Sequence, residues 1–216
     1  MGKTKVTKQL FEWAGEMGKK YTDRNPQSPE EFDRLYLKDY DVSRTAMNEE
    51  FLADIPRDLK ILEVGANIGV QLEFLRRMGF TNLTGLEINE YAVSQAKKLH
   101  PEVEVILGSG FDVPFSDGAF DLVYTSGVLI HISPDDIKSI ISEMHRVSSH
   151  YIWGFEYYSP EYTEVTYRGT SDLLWKADFC GLFADTFADL KVVKERKYRM
   201  TDEKNVSQMY LLEKRR

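Results

Sequence analysis

The chain has one cysteine, Cys180, so no internal disulfide is available and the fold must hold without a covalent staple. No charged leader with an export-length apolar core precedes the folded segments, and the expected compartment is the cytoplasm. No stretch reaches the roughly 20 apolar residues of a membrane span, since even Leu122 to Ile132 is broken by polar groups. Positive charge is scarce too. Lys plus Arg number 28 against 35 Asp plus Glu, and the net charge of −7 repels a phosphate backbone, so nucleic acid is not an expected partner. The basic terminus Lys214-Arg215-Arg216 reads as a solvated tail. His100, His145 and His150 have the look of helix-terminal or surface residues without metal-ligand spacing, and no metal is expected.

What is present is an ordinary globular composition, 42% hydrophobic and 29% charged over 216 residues, enough for one sizeable core. From Lys60 onward short apolar runs alternate with helical patterns, the signature of an α/β parallel sheet. Strands are expected at Lys60 to Val64, Leu83 to Ile88, Val103 to Leu107, Phe120 to Thr125 and Tyr151 to Glu156. Helices are expected from Gln71 to Met78, ended by Gly79, and from Glu90 to Leu99, capped by Asn89. A third should start with Ser133 as N-cap and Pro134 at the first helical position, with Ile137, Ile140, Ile141 and Met144 as its apolar stripe. Leu190 to Tyr198 and Val206 to Glu213 flank the turn Thr201-Asp202-Glu203-Lys204, too short for a crossover, and should pair antiparallel. Residues 1–59 form a mostly helical amino-terminal part of the same domain. Residues 60–216 form the core, with an aromatic-rich insertion at about 157–189.

Between the first strand and helix lies Glu63-Val64-Gly65-Ala66-Asn67-Ile68-Gly69. Gly65 and Gly69 are where a missing Cβ lets backbone approach a ligand. A nicotinamide fingerprint would need further glycines where Asn67 and Val70 stand, so an oxidoreductase is disfavoured. Glu87, with Ile88 beside it, ends the next strand about 20 residues on, where a carboxylate accepts ribose hydroxyls. Further on come Gly108-Ser109-Gly110-Phe111 and the strand leading to Ser126. In this order the segments resemble the class I S-adenosylmethionine-dependent methyltransferases. The resemblance implies a Rossmann-like seven-stranded sheet with an antiparallel last strand, S-adenosylmethionine as cofactor and S-adenosylhomocysteine as product. It also implies a cofactor site built on Gly65, Asn67, Gly69, Glu87, Ile88, Ser109, Gly110, Phe111 and Ser126. The chain departs from many of these relatives at Ser109, where they carry an aspartate.

Several segments resemble more closely the pseudaminic acid biosynthesis-associated methylases: Trp13-Ala14-Gly15-Glu16, Tyr21-Thr22-Asp23-Arg24-Asn25, Ser43-Arg44-Thr45 with Met47-Asn48, Gly127 to Ile132, Glu156 to Pro160, and Tyr167-Arg168-Gly169. That resemblance implies a small-molecule or glycan-precursor acceptor. Among the residues themselves, His131 is the candidate general base, just past the fourth strand, with an ordinary pKa of about 6.5; a core histidine is the alternative. Glu156, Tyr157, Tyr158, Tyr167 and Arg168 are the candidate acceptor contacts, the tyrosines for stacking on a sugar ring and Arg168 for a carboxylate; an insertion core is the alternative. Tyr21 and Arg24, three apart on one helical face, can hold the cofactor's carboxylate. Phe11, Trp13 and Met17 read as one apolar helix face packing a lid. A non-catalytic cofactor-binding scaffold or sensor stays open beside the enzyme.

Overall fold

The computed structural model describes residues 7–202 and 205–215. Glu203 and Lys204 of the expected turn, and Arg216 of the basic terminus, lie outside the described residues. The core is a seven-stranded sheet whose strands are β1 (Lys60–Val64), β2 (Asn82–Glu87), β3 (Glu104–Leu107), β4 (Phe120–Ser126), β5 (Ser148–Tyr157), β8 (Leu190–Arg199) and β9 (Val206–Lys214). Their order is β3-β2-β1-β4-β5-β9-β8. The first five run parallel, and β9, last in the chain, inserts antiparallel between β5 and β8. This is the expected α/β sheet, within a residue or two at most boundaries.

Period-2 alternation sends the two faces of the sheet into two cores. Ile61, Leu122, Tyr124, Trp153 and Met209 pack with α4 (Arg44–Leu52), α5 (Val70–Arg77) and α6 (Glu90–Leu99). Leu62, Val64, Val123, Ile152 and Tyr210 pack against α7 (Ile137–Val147) and α8 (Phe179–Thr186). The stripe Ile137, Ile140, Ile141 and Met144 is buried as expected. The start of α7 is not. Ser133 Oγ donates to Asp136 Oδ2 at 2.9 Å, and the amides of Asp136 and Ile137 both donate to the Ser133 carbonyl. Residues 133–136 thus close a turn of their own, and the helix begins at Ile137.

The amino-terminal part holds α1 (Lys8–Ala14), α2 (Glu16–Arg24), α3 (Pro29–Tyr40) and α4. Phe11, Trp13 and Met17 do not share one helix, because the chain breaks at Gly15 (φ −97°, ψ −146°). Asn89 Nδ2 donates to the carbonyls of Trp13 and Gly15 at 2.9 and 3.0 Å, bracing the junction, where the Gly15 carbonyl also accepts from the Lys19 amide to start α2. Within α1, Phe11 and Trp13 are two residues apart and point to opposite sides, so Phe11 faces solvent, 74% exposed, while Trp13 turns inward. In the insertion, β6 (Thr163–Glu164) and β7 (Trp175–Lys176) form a two-stranded ribbon. Its later part is α8, packed on β8 and β9 as a crossover helix. No helix among the described residues is long and apolar enough to cross a membrane.

Candidate active site

Between β1 and α5 the chain reverses with three residues in the left-handed region: Gly65 (φ 79°), Asn67 (φ 48°) and Gly69 (φ 81°). A Cβ at Gly65 would lie 2.5 Å from Val128 Cγ2, and one at Gly69 3.0 Å from Val103 Cγ2. Turn handedness and packing thus both demand glycine at these positions, and Gly65 also borders an adjoining cavity while Gly69 does not. Asparagine is among the non-glycine residues that best tolerate this conformation. Asn67 uses its side chain as well, donating from Nδ2 to Thr22 Oγ1 of α2 at 2.9 Å. The missing second glycine thus has a physical reason.

Glu87, at the end of β2, is 7% exposed. Its Oε2 accepts from the Asn67 amide and its Oε1 from the Asn89 amide, both at 2.8 Å. Burial raises its pKa, and these two amide bonds oppose that rise. The acid and the loop are therefore one fastened unit, and with the Ile88 amide also bonded the carboxylate, with about four lone-pair sites, keeps capacity for a further donor. This unit borders a cavity of about 420 Å³ at the carboxyl edge of the sheet, which Tyr21, Arg24, Gly65, Asn67, Ile88, Gly110, Phe111, Ser126, Tyr157, Tyr167 and Arg168 also line. Gly69 is the hinge into α5 and does not line it.

Helices α1 and α2 roof this cavity against the insertion. The Trp13 ring lies 4.2 Å from the His131 ring and meets Tyr21 edge-on at 5.3 Å. Arg24 donates to Tyr167 Oη at 2.5 Å. His131 sits on a single 3-10 turn, Leu129–His131, and its Nδ1 is 2.7 Å from the Leu173 carbonyl. A carbonyl only accepts, so Nδ1 carries the proton and Nε2 the lone pair. The pKa near 6.5 expected from the sequence does not hold: burial pushes it down to about 4, with the Arg24 charge adding to the shift and the Leu173 bond opposing it. At neutral pH His131 is an uncharged hydrogen-bond acceptor and a weak base.

Residues 62–150 match the methyltransferase domain family. Over 88 residues the chain is 36% identical to an uncharacterized methyltransferase of Synechocystis sp., covering 41% of each protein. It is 30% identical over 111 residues to a sterol 24-C-methyltransferase of Gibberella zeae, covering 47% of this chain and 29% of that one. The chain thus spans under half the length of these relatives. A Pyrococcus horikoshii structure superposes with a TM-score of 0.69 at 16% identity, over 91% of this chain and 99% of the other. A Burkholderia thailandensis 1,6-didemethyltoxoflavin-N1-methyltransferase, solved with S-adenosylhomocysteine, superposes with a TM-score of 0.63 at 14% identity, over 80% and 76%. The fold is the Rossmann-like methyltransferase fold.

Two further expected contacts, Ser109 and Tyr158, fall outside the cavity, and a third, Glu156, is engaged by the backbone. Ser109 does not line the cavity, because its Oγ accepts from the Phe111 amide at 3.2 Å and closes a local turn. Tyr158 does not line it either: strand alternation turns its ring outward, beneath the Lys197 ammonium at 3.9 Å. Glu156 lines it, but its carboxylate accepts from the amides of Val128 (3.1 Å) and Ile130 (3.3 Å), clamping the turn that carries His131. Burial raises the Glu156 pKa to about 7. Other lining residues escaped the sequence-based search. Trp13 was read as lid packing. Glu63, expected only as part of the loop, is buried beside Tyr124, and burial raises its pKa to about 8. Tyr36 and Tyr40 of α3 also line the cavity, and their four-residue spacing was the available signal. Among the described residues no cluster of three or more His, Cys, Asp or Glu could hold a metal.

Proposed function

We propose that the protein is an S-adenosylmethionine-dependent methyltransferase acting on a small-molecule acceptor and releasing S-adenosylhomocysteine. The observation that carries this is Glu87: a buried carboxylate oriented by two loop amides, with accepting capacity left over, at the edge of a cavity large enough for an adenosyl ligand. The donor set fits such a ligand. Glu87 would accept from the ribose hydroxyls, Ile88, Gly110 and Phe111 would enclose the base, and Tyr21 and Arg24 would hold the amino-acid end, with Ser126 beside it. The bound cofactor supplies an electrophilic methyl group on a sulfonium centre.

The chain's own work is alignment and exclusion of water. Residues 7–59 act as a lid: Asn67 ties the loop to α2, and Asn89 ties the α1–α2 junction to α6. His131 presents Nε2 as an acceptor for an acceptor hydroxyl or amine, its ring fixed by Leu173. With burial holding its pKa down, it orients more than it deprotonates. The glycan-precursor acceptor rests on the closer family resemblance alone, and the cytoplasm on the single, buried Cys180. Titration of the purified protein with S-adenosylhomocysteine in a calorimeter tests the proposal. Saturable one-to-one binding is expected; no heat and no competition with S-adenosylmethionine would overturn it.

A further inference from the structure

The acceptor side of the cavity differs from what a sugar needs. Each sugar hydroxyl brings a donor and acceptors, and leaving them unpaired on burial is costly. Tyrosine tips are the obvious partners, yet here most are already engaged. Tyr40 Oη pairs with Ser207 Oγ at 2.8 Å, Tyr36 Oη is 3.4 Å from Arg44 Nη1, and Tyr167 Oη receives Arg24 at 2.5 Å. Beside these engaged oxygens the cavity presents broad ring surface. Tyr36, Tyr40 and Phe155 form a cluster with centroids 5.2 to 5.9 Å apart, and Leu35, Leu174 and Met200 add aliphatic wall.

One charge stands at the mouth without a carboxylate. Arg168 lines the cavity from the tip of the turn between Tyr167 and Thr170, with φ of 51°, a conformation an arginine rarely adopts. Among the described residues it has no ion pair. The neighbouring Arg24 is engaged with Tyr167 and lies 5.2 Å over the Tyr21 ring. The turn therefore holds a guanidinium without a carboxylate partner, 6.0 Å from the Tyr167 ring centroid, on the wall of the cavity that the aromatic cluster also lines.

Building on the methyltransferase proposal, we infer that the acceptor is a flat aromatic or heteroaromatic molecule bearing one anionic group, its ring against the Tyr36–Tyr40–Phe155 cluster and its anion on Arg168. Planar rings gain from such surfaces without needing a set of polar partners, and a guanidinium holds a carboxylate bidentately.

The test uses full-length protein saturated with S-adenosylhomocysteine, probed by saturation-transfer NMR and by titration with 4-hydroxybenzoate, phenol, glucuronate and glucose. Binding of 4-hydroxybenzoate is expected, with phenol about tenfold weaker or more and both sugars undetected. Arg168→Met should bring 4-hydroxybenzoate to the level of phenol while S-adenosylhomocysteine affinity stays the same, which also shows that the variant is folded. Tighter binding of glucuronate than of 4-hydroxybenzoate would overturn the inference, as would absence of 4-hydroxybenzoate binding by protein that binds S-adenosylhomocysteine. Failure to bind S-adenosylhomocysteine at all would overturn the methyltransferase proposal beneath it.

Discussion

The two halves of the cavity are built in different ways. The loop of Gly65 to Gly69 and Glu87 come from adjacent parallel strands and are fastened by backbone amides. The acceptor side is gathered from α1 and α2, α3, the turn after β4 and the insertion, and is held mainly by side chains such as Arg24 with Tyr167 and His131 with Leu173. A site made of backbone geometry tolerates few substitutions but asks little of the rest of the chain. A site made of distant side chains can be retuned one residue at a time, which suits a half that must match a particular acceptor.

If that contrast is right, glycines on the two sides should differ in what they tolerate. Gly65 and Gly169 both have positive φ, but a Cβ would strike Val128 at Gly65 and meet nothing within 4 Å at Gly169. Gly65→Ala should cost about 3 kcal/mol or more in chemical denaturation, and Gly169→Ala about 1 kcal/mol, the left-handed penalty alone. Equal costs would erase the distinction.

On the acceptor side two buried groups couple stability to pH in opposite senses, since Glu156, with its pKa raised to about 7, favours the fold at low pH while His131 disfavours it. Neutral His131 is buried, and its folded pKa of about 4 lies below the ordinary 6.5. The unfolded chain therefore takes up the proton first, and stability falls as pH drops from 6.5 toward 4, by roughly 3 kcal/mol. His131→Gln should lose this part of the acid slope. Glu63, with its pKa raised to about 8, works in the opposite sense, favouring the fold at low pH and losing that contribution as pH rises from about 4.5 to 8. Any acid limb of turnover that depends on His131 should lie near 4; a limb near 6.5 that vanishes in His131→Gln would contradict the buried geometry.

A smaller effect tests the tie between loop and lid. Asn67→Gly keeps the left-handed turn but removes the bond to Thr22, worth about 1 kcal/mol. Amide exchange of residues 16–25 should quicken in the variant and slow again with S-adenosylhomocysteine. Unchanged exchange would make the tie incidental. Smallest of all, Ser109→Ala and Tyr158→Phe should shift S-adenosylhomocysteine affinity by less than about 0.5 kcal/mol, because neither side chain borders the cavity.

The same contrast decides what the sequence could disclose. The strand periods, the loop and Glu87 were legible because their geometry is local: apolar alternation, turn residues and a fixed strand length put them in place. The clamp made by Glu156 is not legible, because no local pattern shows that its carboxylate turns back to the Val128 and Ile130 amides. Trp13 was given to packing because the junction at Gly15 is braced by Asn89, far along the chain. His131 was placed at the right edge, but its pKa depends on burial beneath Trp13 and beside Leu173, a tertiary property. Ser109 is expected at the site from the family resemblance and Tyr158 from its place at the end of the fifth strand, and a local turn and strand alternation direct them elsewhere.

The central claim is that Glu87, held by the amides of Asn67 and Asn89, is the ribose contact of an adenosyl cofactor. Calorimetric titration of S-adenosylhomocysteine into the wild-type protein and Glu87→Ala, with circular dichroism confirming the fold of both, tests it most directly. The account predicts binding by the wild type and a loss of about 1.5–3 kcal/mol in the variant; unchanged affinity in a folded Glu87→Ala would contradict it.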